Sequence, residues 1–426
     1  MATKVWSGGA PTTAQVGKVT PAGTPTENDV FTVTLTDHEG KTHSITFTST
    51  ASKSLAETVA GLVAAGVAAK AGGADAWSAV TCADSASAFM TITADTAGNP
   101  FTQSSSVSGT ATVADATTTA NTGPNIFSAA ENWVGDIAPV ADTDVVIIPA
   151  TATDAIYGED MSSSSYLGFT VEDGCPIAIG SPNKLLSIDL KETSYYNATL
   201  GGIGICYLSI SNYHSIDIIN AGVGTPSAGE YATNITGLHD AALVSGRGTI
   251  YVRPGADGSV SLAGNANETL EANTINIRSG TVLMGANITD YGGSTAIPIN
   301  IDGGDTTIRC LSTTLTKTAG TLTREGSTAI VIFNELGGTT YDNGSGLVGT
   351  MNIGGGGTVD ASNNTVGVTY TNINMWAGAG LKDPHKMITM STNGVNLNRC
   401  GLPGSAGAKV AVLDLGTNLT VTPSTI

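Results

Sequence analysis

Charge is scarce in this chain of 426 residues: Asp, Glu, Lys and Arg together make up 12 per cent, and aromatic residues only 5 per cent. So little Lys, Glu and Leu excludes a mainly helical protein. Lys and Arg number 17 against 35 acidic residues, a net charge of −18. Clustered cations are what a nucleic-acid partner requires, so none is expected. The five cysteines, Cys82, Cys175, Cys206, Cys310 and Cys400, are far apart and odd in number, with no C-x-x-C pair. Neither a zinc site nor a disulfide framework follows from them. No apolar run is long enough to span a membrane, and Met1-Ala2-Thr3-Lys4 leads into polar sequence without an apolar stretch. Neither a membrane span nor a secretory signal is expected, which predicts a protein made in the cytoplasm of the producing cell.

What is abundant is glycine, at 54 residues, beside a hydrophobic content of 41 per cent. That is enough for a core, and with many Thr it points to β-branched strands cut by turns. From about Leu185 to Leu415 short apolar runs recur at a steady step. Ile250-Tyr251-Val252, Ile275-Asn276-Ile277 and Ile299-Asn300-Ile301 follow one another at nearly equal intervals. A second series, Leu283, Ile308 and Ile332, keeps the same interval, and Ile330 to Ile353 is only slightly shorter. Alternation within each run predicts strands with one face in a core, and a fixed period predicts stacked repeats. The fold expected is mainly β: a right-handed parallel β-helix, or solenoid, over residues 145–400, with the hand taken from the general preference of parallel crossovers. A small α+β N-terminal domain precedes it.

That unit spans residues 1–122. Val30 to Thr36 and Ser44 to Thr48 alternate about a turn at His38-Glu39-Gly40-Lys41 and predict a hairpin. A helix follows from Leu55 to about Lys70, with Ser54 and Glu57 as a capping box, Leu55, Val59, Leu62, Val63 and Val67 on one face, and Gly72-Gly73 as the stop. Ala88 to Thr93 returns to strand, and Ala97-Gly98-Asn99-Pro100-Phe101 is a turn. The order Phe31-Thr32-Val33-Thr34, Thr46-Phe47-Thr48, the Ala-rich helix, Met90-Thr91-Ile92-Thr93-Ala94 and the Gly-Asn-Pro turn resembles a small module of structural proteins of tailed bacteriophages. The opening Val5-Trp6-Ser7-Gly8-Gly9-Ala10 shares the likeness, which covers about a quarter of the chain. It implies a virion protein.

Thr112 to Gly123 is low-complexity Ala, Thr and Asp, expected to be a linker. Residues 123–144 are expected to hold linker and entry cap. The stretch Asn125 to Trp133, then Pro139, then Asp142 to Ile148 resembles the entry of β-solenoid domains in surface proteins. An open first rung would expose core and unpaired strand edge, and Trp133 has the size to cover it. Gly354 to Gly357 predicts a tight bend, and Lys382-Asp383-Pro384-His385 reads as a break in the period. Residues 401–426, with Val410 to Leu415 and Leu419 to Val421, are expected to be closing strands.

Glycan cleavage would need two carboxylates about 5 to 10 Å apart. By spacing the candidates are Asp302 with Asp305, Glu159 with Asp160, and Glu172 with Asp173, but Asp302-Gly303-Gly304-Asp305 is more simply a turn. His214 and His239 are separated by one such period and could stack, without a third ligand at the same step. Gly355-Gly356-Gly357 with Asp360 fits a calcium-binding nonapeptide poorly and once. Tyr195, Tyr196, Tyr207 and Tyr213 could stack on sugars or simply pack. Gly344-Ser345-Gly346 lacks the spacing of a serine nucleophile elbow. Sequons such as Asn197-Ala198-Thr199 mean little without a secretory signal. No catalytic, cofactor-binding or metal residue is therefore assigned and no cofactor is expected.

The function expected is a non-enzymatic virion protein on the outer surface of a particle, foremost a capsid decoration protein. The partners expected are two further copies in a homotrimer, and the major capsid protein or another virion protein. The alternatives are a tail spike or fibre binding a host glycan, and a bacterial surface adhesin.

Overall fold

The computed structural model describes residues 2–50, 54–191, 197–239, 248–290, 296–376 and 378–391, and the backbone of Val395–Leu397, Val412–Leu415 and Val421–Thr422. The chain is mainly β, and its described residues form two long parallel sheets of 15 and 12 strands. It visits them in alternation: Thr249–Val252, Thr274–Ile277 and Ala296–Ile301 lie in the larger sheet, and Ser259–Leu262, Thr281–Met284 and Asp305–Ile308 in the smaller. Each strand pairs in parallel with the next strand of its own sheet, an arrangement consistent with a β-helix or solenoid. Parallel pairing needs a crossover, and here the other sheet supplies it.

The alternation of apolar and polar residues dictates the packing. Ile250, Val252, Ile275, Ile277, Ile299 and Ile301 point inward, are fully buried, and share one core with Leu262, Met284 and Ile308 of the facing sheet. Burying one such side chain is worth ~1.5–3 kcal/mol. The two short strands of a single turn face each other but leave the edges of that contact open to water, so full burial comes only from stacking.

The expected step holds from Ile250 to Ile275 to Ile299, which are direct cross-strand partners. It is not constant elsewhere. The partners Ser215 and Thr249 are separated by a much longer stretch of chain, and Ala296 and Leu311 by a much shorter one. The second series was misread: Leu283 pairs with Thr307, Met284 with Ile308, and Ile332 lies in the other sheet, opposite Thr314 and Thr350. Ile330 likewise pairs with Val348, and Ile353 with Glu335. Register answers to ladder hydrogen bonds and to which face is buried, not to the chain length between strands. Loops can lengthen without disturbing it.

One column of glycines fixes the bend from the larger sheet to the smaller. Gly280, Gly304, Gly320 and Gly338 all have φ between +74° and +87°. A Cβ on Gly304 would lie 2.5 Å from the Gly280 carbonyl oxygen, one on Gly320 2.3 Å from that of Gly304, and one on Gly338 2.2 Å from that of Gly320. Both the left-handed conformation and the close stacking require glycine.

Ala2–Val5 pairs in parallel with Asp144–Ile148 and so begins the larger sheet. The unit assigned to residues 1–122 is thus interrupted: residues 2–5 belong to the stack, and the antiparallel part starts after Trp6. It has two sheets, one of four strands (Val80–Ser85, Phe89–Ala94, Val16–Ala22, Thr112–Thr119) and one of three (Thr42–Thr48, Val30–Thr36, Thr102–Val107), and its own core. Thr112–Thr119 is a strand paired with Val16–Ala22, not a linker. Its Thr-rich alternation serves an edge as well as it would a loop. The helix Leu55–Ala71 begins at Ser54, whose side chain accepts from the Glu57 N–H at 3.1 Å. Its buried face is Thr58, Val59, Leu62 and Gly66, and Val67 is exposed instead. Gly61 and Gly66 let it lie against Phe47 and Trp77, where a Cβ would collide.

At the far end the sheets do not stop near residue 400. Lys382 and Asp383, the first half of the stretch expected as a break, still belong to the strand Gly380–Asp383, and the break falls after them in a turn at Pro384-His385; Val412–Leu415 pairs with that strand, and Val421–Thr422 pairs with Val395–Leu397. The closing strands continue the two sheets.

Candidate functional site

The first place where the chain builds something beyond a repeat is the junction of stack and antiparallel unit. Trp6, Phe127 and Trp133 are fully buried over Val146, Tyr166 and Phe169. The Trp6 and Trp133 rings meet edge-on at 5.2 Å, and Phe127 and Trp133 at 5.0 Å. The Trp133 indole N–H donates to the Phe127 carbonyl at 2.8 Å. Trp133 thus covers the first strands, as its size predicted, but as one of three rings. Asn132 ties the chain leaving the stack to the chain returning: its Oδ1 accepts from Ala10 N–H at 2.8 Å, and its Nδ2 donates to the Gly123 and Ile126 carbonyls at 2.8 Å. The antiparallel unit rests on the stack through Tyr157, whose hydroxyl donates to Asn99 Oδ1 at 2.7 Å and whose ring lies 4.6 Å from His38, and through the Ser181 hydroxyl donating to the Glu39 carbonyl at 2.7 Å. Burial in this contact pushes the His38 imidazole below its ordinary value, against the charges of Asp37 and Glu39.

Each acidic pair singled out by spacing serves the backbone or a neighbouring turn. Asp302 and Asp305 flank the bend at Gly304; Asp302 accepts from the Thr318 hydroxyl at 2.9 Å, and Asp305 opens the next strand. Glu159 accepts from the N–H groups of Phe127 and Ser128 and so braces the aromatic lid. Asp160 caps Ser162, whose hydrogen bonds hold its carboxyl below the usual range. Glu172 accepts from Ala150 N–H at 3.0 Å and Asp173 from Asn220 Nδ2 at 2.7 Å.

The ring beside His239 is that of buried Tyr213, 4.4 Å away, and the Tyr213 hydroxyl donates to the Glu271 carbonyl at 2.6 Å. Tyr213 is therefore a packing residue; Tyr207 is half-buried, and Tyr195 and Tyr196 lie outside the described residues. Among the described residues no group of three or more His, Cys, Asp and Glu is placed to hold a metal ion. Gly354 to Gly357 forms the tight bend expected, closed by Gly357 N–H to Gly354 O at 3.0 Å.

Inside the stack the sequence reading missed two ionic pairs. Lys317 with Glu335, and Arg324 with Asp342, are fully buried at 2.9 Å and 2.6 Å. Arg324 also donates to the carbonyls of Thr328 at 2.6 Å and Gly346 at 3.0 Å, which explains the Gly344-Ser345-Gly346 turn, and the Tyr370 hydroxyl donates to Asp342. Burial pushes the Glu335 carboxyl up and the Lys317 ammonium down. A usable signal existed: the two pairs have the same separation along the chain, one turn of the stack, with each charge at an inward position of its strand.

Outside, the larger sheet carries an asparagine ladder. Asn300 Nδ2 donates to Asn276 Oδ1, Asn352 to Asn334 and Asn374 to Asn352, each at 2.9 Å, while Asn334 donates to the Thr316 hydroxyl at 3.3 Å. These bonds tie successive strands together. No protein-family model, curated protein or solved structure matches this chain.

Proposed function

We propose that this chain is a structural virion protein of a tailed bacteriophage, a capsid decoration protein without catalytic activity, made in the host cytoplasm and displayed on the particle's outer surface. In this reading the two long sheets are the faces of a right-handed parallel β-helix, and the antiparallel unit is a small α+β domain that anchors on the major capsid protein or another virion protein. The observation that carries the reading is the insertion of that unit between the first two strands of the larger sheet, at the aromatic-capped end. One end then attaches while the stack projects. Assembly as a homotrimer is supported by exposed apolar side chains in or shortly before successive strands of the larger sheet: Val331, Leu347 and Val366 are 60, 50 and 65 per cent exposed. Contact between copies there would remove them from water.

The ends of the antiparallel unit lie together, with Thr13 N–H donating to Thr122 O at 2.9 Å. Joining Ala10 to Gly123 through a short Gly-Ser linker removes the unit yet keeps Ala2–Val5 and Trp6. The shortened chain is expected to melt cooperatively and to fail to bind assembled particles from the producing culture, whereas the full chain binds. Equal binding by both would defeat the anchor, and binding by neither would defeat the virion reading. A monomer at micromolar concentration and on the particle would defeat the trimer.

A further inference from the structure

On the outer face of the smaller sheet two columns of side chains run side by side. One is Thr321, Thr339 and Thr358, and at the next strand it loses its side chain at Gly380. The other is Thr323, Tyr341, Asp360 and Lys382. The missing side chain opens a dent of about 290 Å³ lined by Thr339, Tyr341, Thr358, Asp360, Gly380 and Lys382. Tyr341 is 37 per cent exposed there, although large aromatics are few in this chain. Lys382 Nζ stands 3.3 Å from Asp360 Oδ2. Asp360 Oδ1 accepts from the Ser362 N–H at 2.9 Å, but the contact to Lys382 is longer than the ~2.7–2.9 Å of a well-made charge-assisted bond, so Asp360 Oδ2 and the ammonium keep capacity for a further partner.

We propose that this dent is a binding subsite for one ring of a neutral saccharide. A pyranose offers apolar C–H faces and vicinal hydroxyls that both donate and accept. The tyrosine supplies an apolar wall with a wet tip. The carboxylate accepts, the ammonium donates, and the two threonine hydroxyls do either. One acid and one base leave the site without net charge, so an anionic sugar would add a charge with no partner, in a protein that already carries −18. The volume is at the lower end of ligand clefts, which fits a single sugar ring of a chain rather than a larger cofactor. A sugar subsite of this kind is independent of where on a particle the protein sits, and of its being a virion protein.

The test is titration of the full chain with glucose, galactose, mannose and N-acetylglucosamine, and with a trisaccharide of each, followed by saturation-transfer NMR and calorimetry. At least one is expected to bind saturably. Tyr341→Ala should weaken it by about tenfold and Tyr341→Phe should retain it, because the ring supplies the wall. Asp360→Asn should weaken it as well, with melting temperatures of all three variants close to that of the parent chain. Binding of trisaccharides alone would identify a polymer as the source, and binding of monosaccharides too would identify a free sugar; either supports the site. If none of these sugars binds, or if binding is unchanged in both Tyr341→Ala and Asp360→Asn, the subsite is refuted.

Discussion

Lys317 Nζ lies 2.9 Å from Glu335 Oε1, with both side chains fully buried and their backbones direct partners on adjacent strands. The same inward column holds Ile301 before them and Ile353 after them. An ion pair thus stands where the pattern calls for two apolar residues, and it is completed by Lys317 donating to the Gly337 carbonyl at 2.6 Å and the Thr340 hydroxyl donating to Glu335. Removing one partner strands the other charge in the core. Lys317→Met is expected to lower stability by ~3–5 kcal/mol, while Lys317→Met with Glu335→Leu should come within ~1 kcal/mol of the parent chain or exceed it. Urea unfolding of the two variants checks this, and similar losses in both would show that the pair is worth more than apolar packing.

The glycine column gives a matched comparison. Gly320 combines φ of +74° with a neighbouring carbonyl that a Cβ would approach to 2.3 Å, whereas Gly326 has φ of +64° with nothing within 4 Å. Gly326→Ala carries only the conformational cost, ~1–2 kcal/mol. Gly320→Ala must also move a packed backbone and is expected to cost at least ~1 kcal/mol more. Thermal unfolding of the two variants separates conformation from stacking, and equal losses would mean that the column is not tightly packed.

Much of the fold was legible because Ile250, Ile275 and Ile299 repeat both parity and step, and two of those signals together specify a stacked strand. Where the steps change, before Ile250 and after Ile299, parity alone survived, and parity cannot say which sheet a strand joins; Ile332 was misplaced for that reason. Ala2–Val5 was assigned to the wrong unit because a strand whose partner lies at Asp144–Ile148 leaves no local trace of it. Asp302 and Asp305 were legible as turn residues, whereas nothing local showed that Glu159 and Glu172 accept from the backbone of distant segments. The buried pairs were overlooked because inward positions were sought by their apolar residues alone, although Lys317 and Glu335 both sit at inward parity. Tyr341 escaped notice because the dent beside it is made by an absent side chain on another strand, at Gly380.

Acid should loosen the strand pairing at the capped end through Asp144. Asp144 is buried, which would raise its carboxyl, but the N–H of Val140, the hydroxyl of Thr143, the N–H of Ala2 and the charge of Lys4 outweigh burial and hold it below 3.8. A lowered folded value means that the ionised form stabilises the protein above the unfolded value and that this contribution is lost as pH falls through the folded one. The melting temperature is therefore expected to fall as pH drops below 3.8. Asp144→Asn should be less stable at neutral pH by ~1 kcal/mol, with a flatter acid limb. A parallel acid limb in the variant would assign the loss to other carboxyls.

The asparagine ladder makes the sharpest demand on register, because each amide must give a donor to one strand and an acceptor to the next. Asn352 does both, donating to Asn334 Oδ1 and accepting from Asn374 Nδ2, each at 2.9 Å, whereas Asn276 only accepts from Asn300 among the bonds described. Asn352→Ala removes two bonds on a half-buried face and is expected to cost ~1–3 kcal/mol, with Asn276→Ala costing about half as much. Asn352→Asp discriminates further. Its carboxylate still accepts from Asn374 but turns an acceptor toward Asn334 Oδ1, which loses its donor and faces a negative charge. Protonation restores a donor at that position. Asn352→Asp should thus lose stability as pH rises through the carboxyl range and recover on acidification, opposite in sign to the effect of Asp144. Urea midpoints at acid and at neutral pH, each referred to the parent chain, decide it: a deficit that does not shrink on acidification would mean that the amides pack without ordering the strands through their hydrogen bonds.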